Sequence, residues 1–108
     1  MTELSVPFTT VLQNSLRDPA HAQAYLDVAV QEYQEDGDLG FFLAALRNVA
    51  EAHGGLSALA EKTRLNRQNL YKALSPKGNP KIDTLGAILH GMGLRLSVQT
   101  LAPGVAHS

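Results

Sequence analysis

Four consecutive polar side chains, Asn66, Arg67, Gln68 and Asn69, are the residues of this sequence best suited to a specific chemistry. Arg can present two parallel N–H groups to guanine, and Asn or Gln can match adenine with one donor and one acceptor. Such side chains read base edges when they stand in the exposed first turn of a helix lying in the major groove of DNA. Asn66 is a suitable cap for that helix, leaving Arg67, Gln68 and Asn69 in its first turn. Tyr71, Lys72, Ser75 and Lys77 follow at positions from which they could bind phosphates, contacts that set register rather than specificity. The plainer alternatives are an ordinary polar helix start, lysines that are only solvated, and a Tyr71 ring that packs under Leu74 and shows its hydroxyl.

Other chemistries find less support. His21, His53, His90 and His107 are far apart and share no ligand spacing with each other or with Asp and Glu, so no metal site is expected. Glu35-Asp36-Gly37-Asp38 is too short for a twelve-residue calcium loop and lacks the closing Glu. There is no nucleophile beside a base, no glycine-rich phosphate loop and no pair of carboxylates in a plausible cleft. Neither catalytic residues nor a cofactor are expected, and the chain does not read as an enzyme.

The elements that must position the polar run are helices. Two short ones, Leu56 to Thr63 and Arg67 to Leu74, form a helix-turn-helix over residues 56–75, with Ala60 small enough for a close crossing. Leu59, Leu65, Leu70 and Leu74 are spaced to close a shared core. Upstream, Asp18-Pro19 starts a helix whose stripe is Ala22, Tyr25, Leu26, Ala29, Val30 and Tyr33, ended by Glu35-Asp36-Gly37. Asp38 caps another, with Phe41, Phe42, Ala45, Leu46 and Val49 on one side and Gly54-Gly55 as its stop. Phe41 and Phe42 are adjacent and cannot share a direction: one is core, and the other is extra core or meets a partner. After the Ser75 to Pro80 loop, a fifth helix spans Lys81 to Met92.

Leu94 to Thr100 alternates apolar and polar residues with period two and reads as a strand. One strand cannot form a sheet, so it either pairs with its copy in a two-fold dimer or packs as an extended tail over the helices. The expected architecture is therefore all-α, five helices with a short C-terminal β-strand, in one domain over residues 18–100. Residues 1–17 are expected to be an N-terminal arm and 101–108 a C-terminal tail.

A chain of 108 residues with 44% apolar content suits one soluble globular domain. It lacks cysteine, which excludes disulfide scaffolds and thiolate metal sites. No stretch approaches a membrane span, and Met1 to Arg17 shows no basic opening followed by an apolar run, so a cytoplasmic location is expected. The net charge of −1 hides a division. From Asp18 to His53 seven acids face Arg47 alone, a net −6, whereas from Leu56 to Lys81 six bases face Glu61 alone, a net +5. Such a molecule can approach a polyanion with one end while the other meets a basic partner, although both runs could also be solvated helix faces.

The segments Leu59-Ala60-Glu61-Lys62-Thr63, Leu65-Asn66-Arg67, Asn69 to Pro80, Thr84-Leu85 and Gly93 to Leu96 resemble the addiction-module antidote proteins, HigA-like antitoxins of the Xre helix-turn-helix class. With the acidic upstream helices the resemblance covers roughly residues 20 to 98. It implies an antitoxin that binds a RelE/ParE-like toxin and represses its own operon, with an operator in double-stranded DNA; the acidic half suggests that the toxin is basic, and the lone strand suggests a second copy of the chain as a partner. One departure is Arg64, where such proteins often have Gly in the turn; a left-handed residue other than Gly there costs on the order of 1 kcal/mol. Two alternatives keep part of this reading: a solitary regulator without a toxin, and a helical protein-binding adaptor that uses the motif only as a fold.

Overall fold

Asp18 and Asp38 begin helices through their own carboxylates. In the computed structural model, which describes residues 8–101, Asp18 accepts from the Ala20 amide at 2.9 Å and Pro19 takes the first helical position. The resulting helix, α2 (Pro19–Asp36), is preceded by α1 (Phe8–Leu16). Gly37, at φ 74°, ends α2 and returns its N–H to the Tyr33 carbonyl at 2.7 Å. Asp38 accepts from the Gly40 amide at 3.0 Å and opens α3 (Leu39–Ala52). Gly54 and Gly55, both at positive φ, carry the chain into α4 (Gly55–Thr63). Then come α5 (Arg67–Ala73) and α6 (Ile82–Gly91).

The core gathers around α3. Leu43, Leu46 and Val49 are fully buried there, with Phe42, Ala45 and Ala50 buried beside them. Helices α1, α2 and α4 all pack on α3, while α5 and α6 pack on α4. Adjacent helical residues diverge by about 100°, because 3.6 residues complete a turn. Phe42 accordingly enters the core at 6% exposure and Phe41 stays 48% exposed.

Two expectations at the ends need correction. The arm expected over residues 1–17 contains α1; residues 1–7 lie outside the described ones. Leu16 is buried and Leu12 packs against the core, and the His53 ring bonds through Nε2 to the Leu16 carbonyl at 3.1 Å. Phe8, Val11, Leu12 and Leu16 stand at i, i+3, i+4 and i+8, a helical spacing that the reading of the arm passed over; in a helix of only nine residues the stability comes from tertiary packing. At the other end, there is no strand among the described residues, which form six helices rather than five helices and a strand. Residues 94–100 leave α6 without a ladder, since a strand needs a neighbour and the single chain supplies none. The exit itself is well defined. Gly93, at φ 81°, gives its N–H to the His90 carbonyl at 3.0 Å, and Leu94 gives its own to the Leu89 carbonyl at 2.8 Å. This pair of bonds is the Schellman arrangement, which satisfies the last carbonyls of a helix.

Two glycines of α6 should respond oppositely to alanine. A Cβ at Gly91 would meet Thr63 Cγ2 at 2.7 Å and Leu59 Cδ1 at 2.8 Å, whereas one at Gly86 would meet only Leu96 Cδ1 at 3.6 Å. Gly91→Ala is expected to lower stability by roughly 1–3 kcal/mol through overpacking at the α4–α6 contact. Gly86→Ala is expected to raise it by about 0.5–1 kcal/mol, because alanine has less chain entropy to lose. Urea denaturation of both variants checks the two signs.

Candidate nucleic-acid interface

A helix of seven residues does not hold itself together in water, so α5 depends on its surroundings. Asn66, in extended backbone, caps it: its side-chain oxygen accepts from the Gln68 amide at 2.8 Å and the Asn69 amide at 3.2 Å. Leu70 and Leu74 are both fully buried, and Leu59 of α4 lies in the same core, with Ala60 and Leu65 partly buried against it. Burying a leucine is worth about 1.5–3 kcal/mol, so these two side chains dominate what keeps α5 in place.

The turn between α4 and α5 is built on Thr63 and Arg64. The Thr63 hydroxyl donates to the Leu59 carbonyl at 2.8 Å and accepts from the Leu65 amide at 3.2 Å. Arg64 sits at φ 61° and ψ 17°, the one non-glycine residue at positive φ among those described. The left-handed turn geometry is thus kept without glycine. The sequence reading did not single out Thr63, although a threonine ahead of a turn can bond its own backbone two residues on.

These contacts leave Arg67, Gln68 and Asn69 exposed together in the first turn of α5. Arg67 is not free to wander: its Cζ lies 5.4 Å from the centroid of the Tyr71 ring and its Nη2 donates to the Tyr71 hydroxyl at 3.2 Å. Residues four apart share a helix face, and a guanidinium over an exposed ring is worth roughly 0.5–1 kcal/mol. Tyr71 itself is half exposed; its ring supports Arg67, a role that the sequence alone did not give it.

The remaining residues gather on the loop side of α5. The Ser75 hydroxyl donates to the Lys72 carbonyl at 2.8 Å, so it would have to release that carbonyl to donate to a phosphate. Gly78 returns its amide to the Ser75 carbonyl at 2.8 Å, and a Cβ there would collide with the Ala73 carbonyl. This tight return brings Asn69, Lys72, Ser75 and Lys77 onto one shallow hollow with Lys81 and Thr84. Lys81 and Thr84 were not among the sequence-derived site residues. Lys81 was visible as part of the basic segment, and Thr84 as part of the family resemblance, but neither was given a role at the site. Arg67 and Gln68 lie outside the hollow, at the N-terminal turn of α5.

On the acidic side, Asp27, Glu32, Glu35 and Asp36 are exposed on α2, and Asp38 and Glu51 are exposed at the two ends of α3. Among the described residues no group of three or more His, Asp or Glu could hold a metal ion. No helix there is long and apolar enough to cross a membrane. A family model described as "Probable addiction module antidote protein" matches residues 9–100.

The chain belongs to that family. The matched span takes in every helix from within α1 to the segment beyond α6, further at both ends than the resemblance in the motifs alone. A Haemophilus influenzae protein described as uncharacterized is 34% identical over 77 residues, which is 71% of this chain and 74% of that protein. No solved structure matches the chain significantly. Membership of an antidote family implies, in general terms, an antitoxin role and a toxin partner.

The cap of α5 can be tested in this antidote-family chain without any ligand. Asn66→Ala is expected to lower stability by about 0.5–2 kcal/mol, while Asn66→Asp, which keeps the accepting oxygen, should lose much less. Thermal unfolding followed by circular dichroism reads both.

Proposed function

We propose that this chain is a sequence-specific DNA-binding antitoxin of a type II toxin-antitoxin module, HigA-like and of the Xre helix-turn-helix class, which represses its own operon. The observation that carries the reading is the exposure of Arg67, Gln68 and Asn69 together on the capped first turn of α5, in a chain of an antidote family. In this reading α4 and α5 are the two helices of the motif, and α5 enters the major groove. Arg67, steadied by Tyr71, pairs with guanine, and Gln68 or Asn69 with adenine. Lys72 and Lys77, with Lys81 on the same hollow, hold phosphates and set register.

The acidic face of α2 is the proposed meeting place for a basic RelE/ParE-like toxin, where complementary potentials speed encounter and help fix register. A homodimer is part of the same proposal. Residues 95–100 form no helix and no ladder, with Leu96 half exposed and Val98 98% exposed. Antiparallel pairing of this segment with its copy would supply the missing ladder and cover both side chains. Two α5 helices would then read half-sites about one helical turn apart.

Fluorescence anisotropy on a duplex from upstream of the chain's own reading frame tests the DNA half. Arg67→Ala is expected to cost roughly 1–3 kcal/mol and to relax preference at one base pair, and Lys72→Ala to weaken all sequences alike and reduce the salt slope by about 1. Uniform weakening by Arg67→Ala would contradict base reading. Co-purification tests the other half. A small basic protein that is retained by the wild type and released by Glu32→Lys with Glu35→Lys supports the antitoxin. DNA binding with no such protein points to a solitary regulator, and protein binding without DNA to an adaptor.

A further inference from the structure

Arg47 is the single base among the seven acids between Asp18 and His53, and it does not face them. The side chain is half-buried, and its Nη1 donates to the carbonyl of Leu74, twenty-seven residues further on. Leu74 is the residue that closes α5. Carbonyls without intrahelical partners collect at such an end, together with the negative pole of the helix dipole. A guanidinium answers both, and it does so with a fixed planar geometry.

The other supports of α5 make this bond consequential. Among the helices, α5 packs on α4 alone. Its start is fixed by Asn66, its middle by Leu70 and its end by the buried Leu74 side chain, and the Leu74 carbonyl is tied to α3 through Arg47. Helix α3 is itself pinned: Asn48, the next residue, donates from Nδ2 to the Tyr25 hydroxyl of α2 at 2.8 Å. At the start of α3, a Cβ on Gly40 would lie 3.6 Å from the Pro76 carbonyl, so the backbone there runs against the loop that carries Lys77. Two neighbouring residues of the most buried helix thus bond to different elements, Asn48 to Tyr25 of α2 and Arg47 to the end of α5.

We propose that Arg47 is a positioning residue for DNA recognition: it fixes the direction of α5 without touching the nucleic acid. This rests on the DNA-binding reading above and places one determinant of sequence preference outside the two helices of the motif. Bidentate hydrogen bonds to base edges demand defined distances and angles. Lysine contacts to phosphates tolerate more movement, because they act as point charges. Freeing the end of α5 spreads its orientation, and affinity for the specific site falls with the fraction of molecules in the competent one. Binding to unrelated DNA should change far less.

The test is a titration of wild type and Arg47→Met on operator and unrelated duplexes over a salt series, at a temperature where circular dichroism shows the variant folded. Operator affinity is expected to fall by roughly 10- to 100-fold, the range of a lost hydrogen bond from a charged donor. Unrelated DNA should bind nearly as before. The slope of log affinity against log salt should not change, since no phosphate contact is lost. A slope shallower by about one unit would make Arg47 a phosphate ligand and overturn the proposal. Unchanged operator preference would overturn it as well. Arg47→Lys keeps the charge and a donor without the fork, and should fall between the two. If Arg47→Met does not fold, Arg47→Lys decides alone: reduced operator preference at unchanged slope supports the proposal, and wild-type preference overturns it. Wild type that prefers no duplex would instead sink the DNA-binding reading itself.

Discussion

A seven-residue helix cannot stand on its own hydrogen bonds, and the rest of the molecule follows from that constraint. Fixing the first turn of any helix costs more entropy than its hydrogen bonds return. Helix α5 therefore exists only because Leu70 and Leu74 are taken into a core that others have formed, and because Asn66 and Arg47 satisfy its two ends. The core that receives it belongs to α3, the helix with most buried side chains, onto which α1, α2 and α4 fold. Such an arrangement turns Leu70 and Leu74 inward and leaves Arg67, Gln68, Asn69, Lys72 and the Tyr71 ring exposed.

The division of charge has a structural counterpart. The bases of the second half surround α5 and the loop after it, where Lys72, Lys77 and Lys81 share a hollow. The acids of the first half lie on α2 and at the two ends of α3. Helix α3 packs on both α2 and α4, and its start, capped by Asp38, runs against the loop that carries Lys77. Surface charge of this kind affects encounter and partner choice more than folding. A net charge near zero, taken for the whole chain, conceals both.

Much of the fold was legible because its signals are local. Asp18-Pro19, Asp38, Gly37, Gly54 and Asn66 each act within four residues of themselves, and each does in the structure what its type suggested. The α1 helix was missed although Phe8, Val11, Leu12 and Leu16 are spaced for one, because nine residues make a weak signal alone and the helix is stabilised by α2 and α3. The strand assigned to Leu94–Thr100 failed for a different reason: alternation describes which way side chains point, while a ladder needs a second backbone. Within the candidate site, the exposure of Arg67, Gln68 and Asn69 followed from the cap alone. The Arg67–Tyr71 pair could have been read from its i,i+4 spacing. The bond from Arg47 to Leu74 could not, because it joins elements whose packing no local pattern specifies.

The central claim is that the exposed turn of α5 reads a DNA sequence. The most direct measurement is retention of randomly sheared genomic fragments by the purified chain at physiological salt, followed by sequencing of what is kept. A few strongly enriched sites with two-fold symmetry and half-sites about one helical turn apart are expected, one of them upstream of the chain's own reading frame. Fragments retained in proportion to length alone, or none retained, would contradict it.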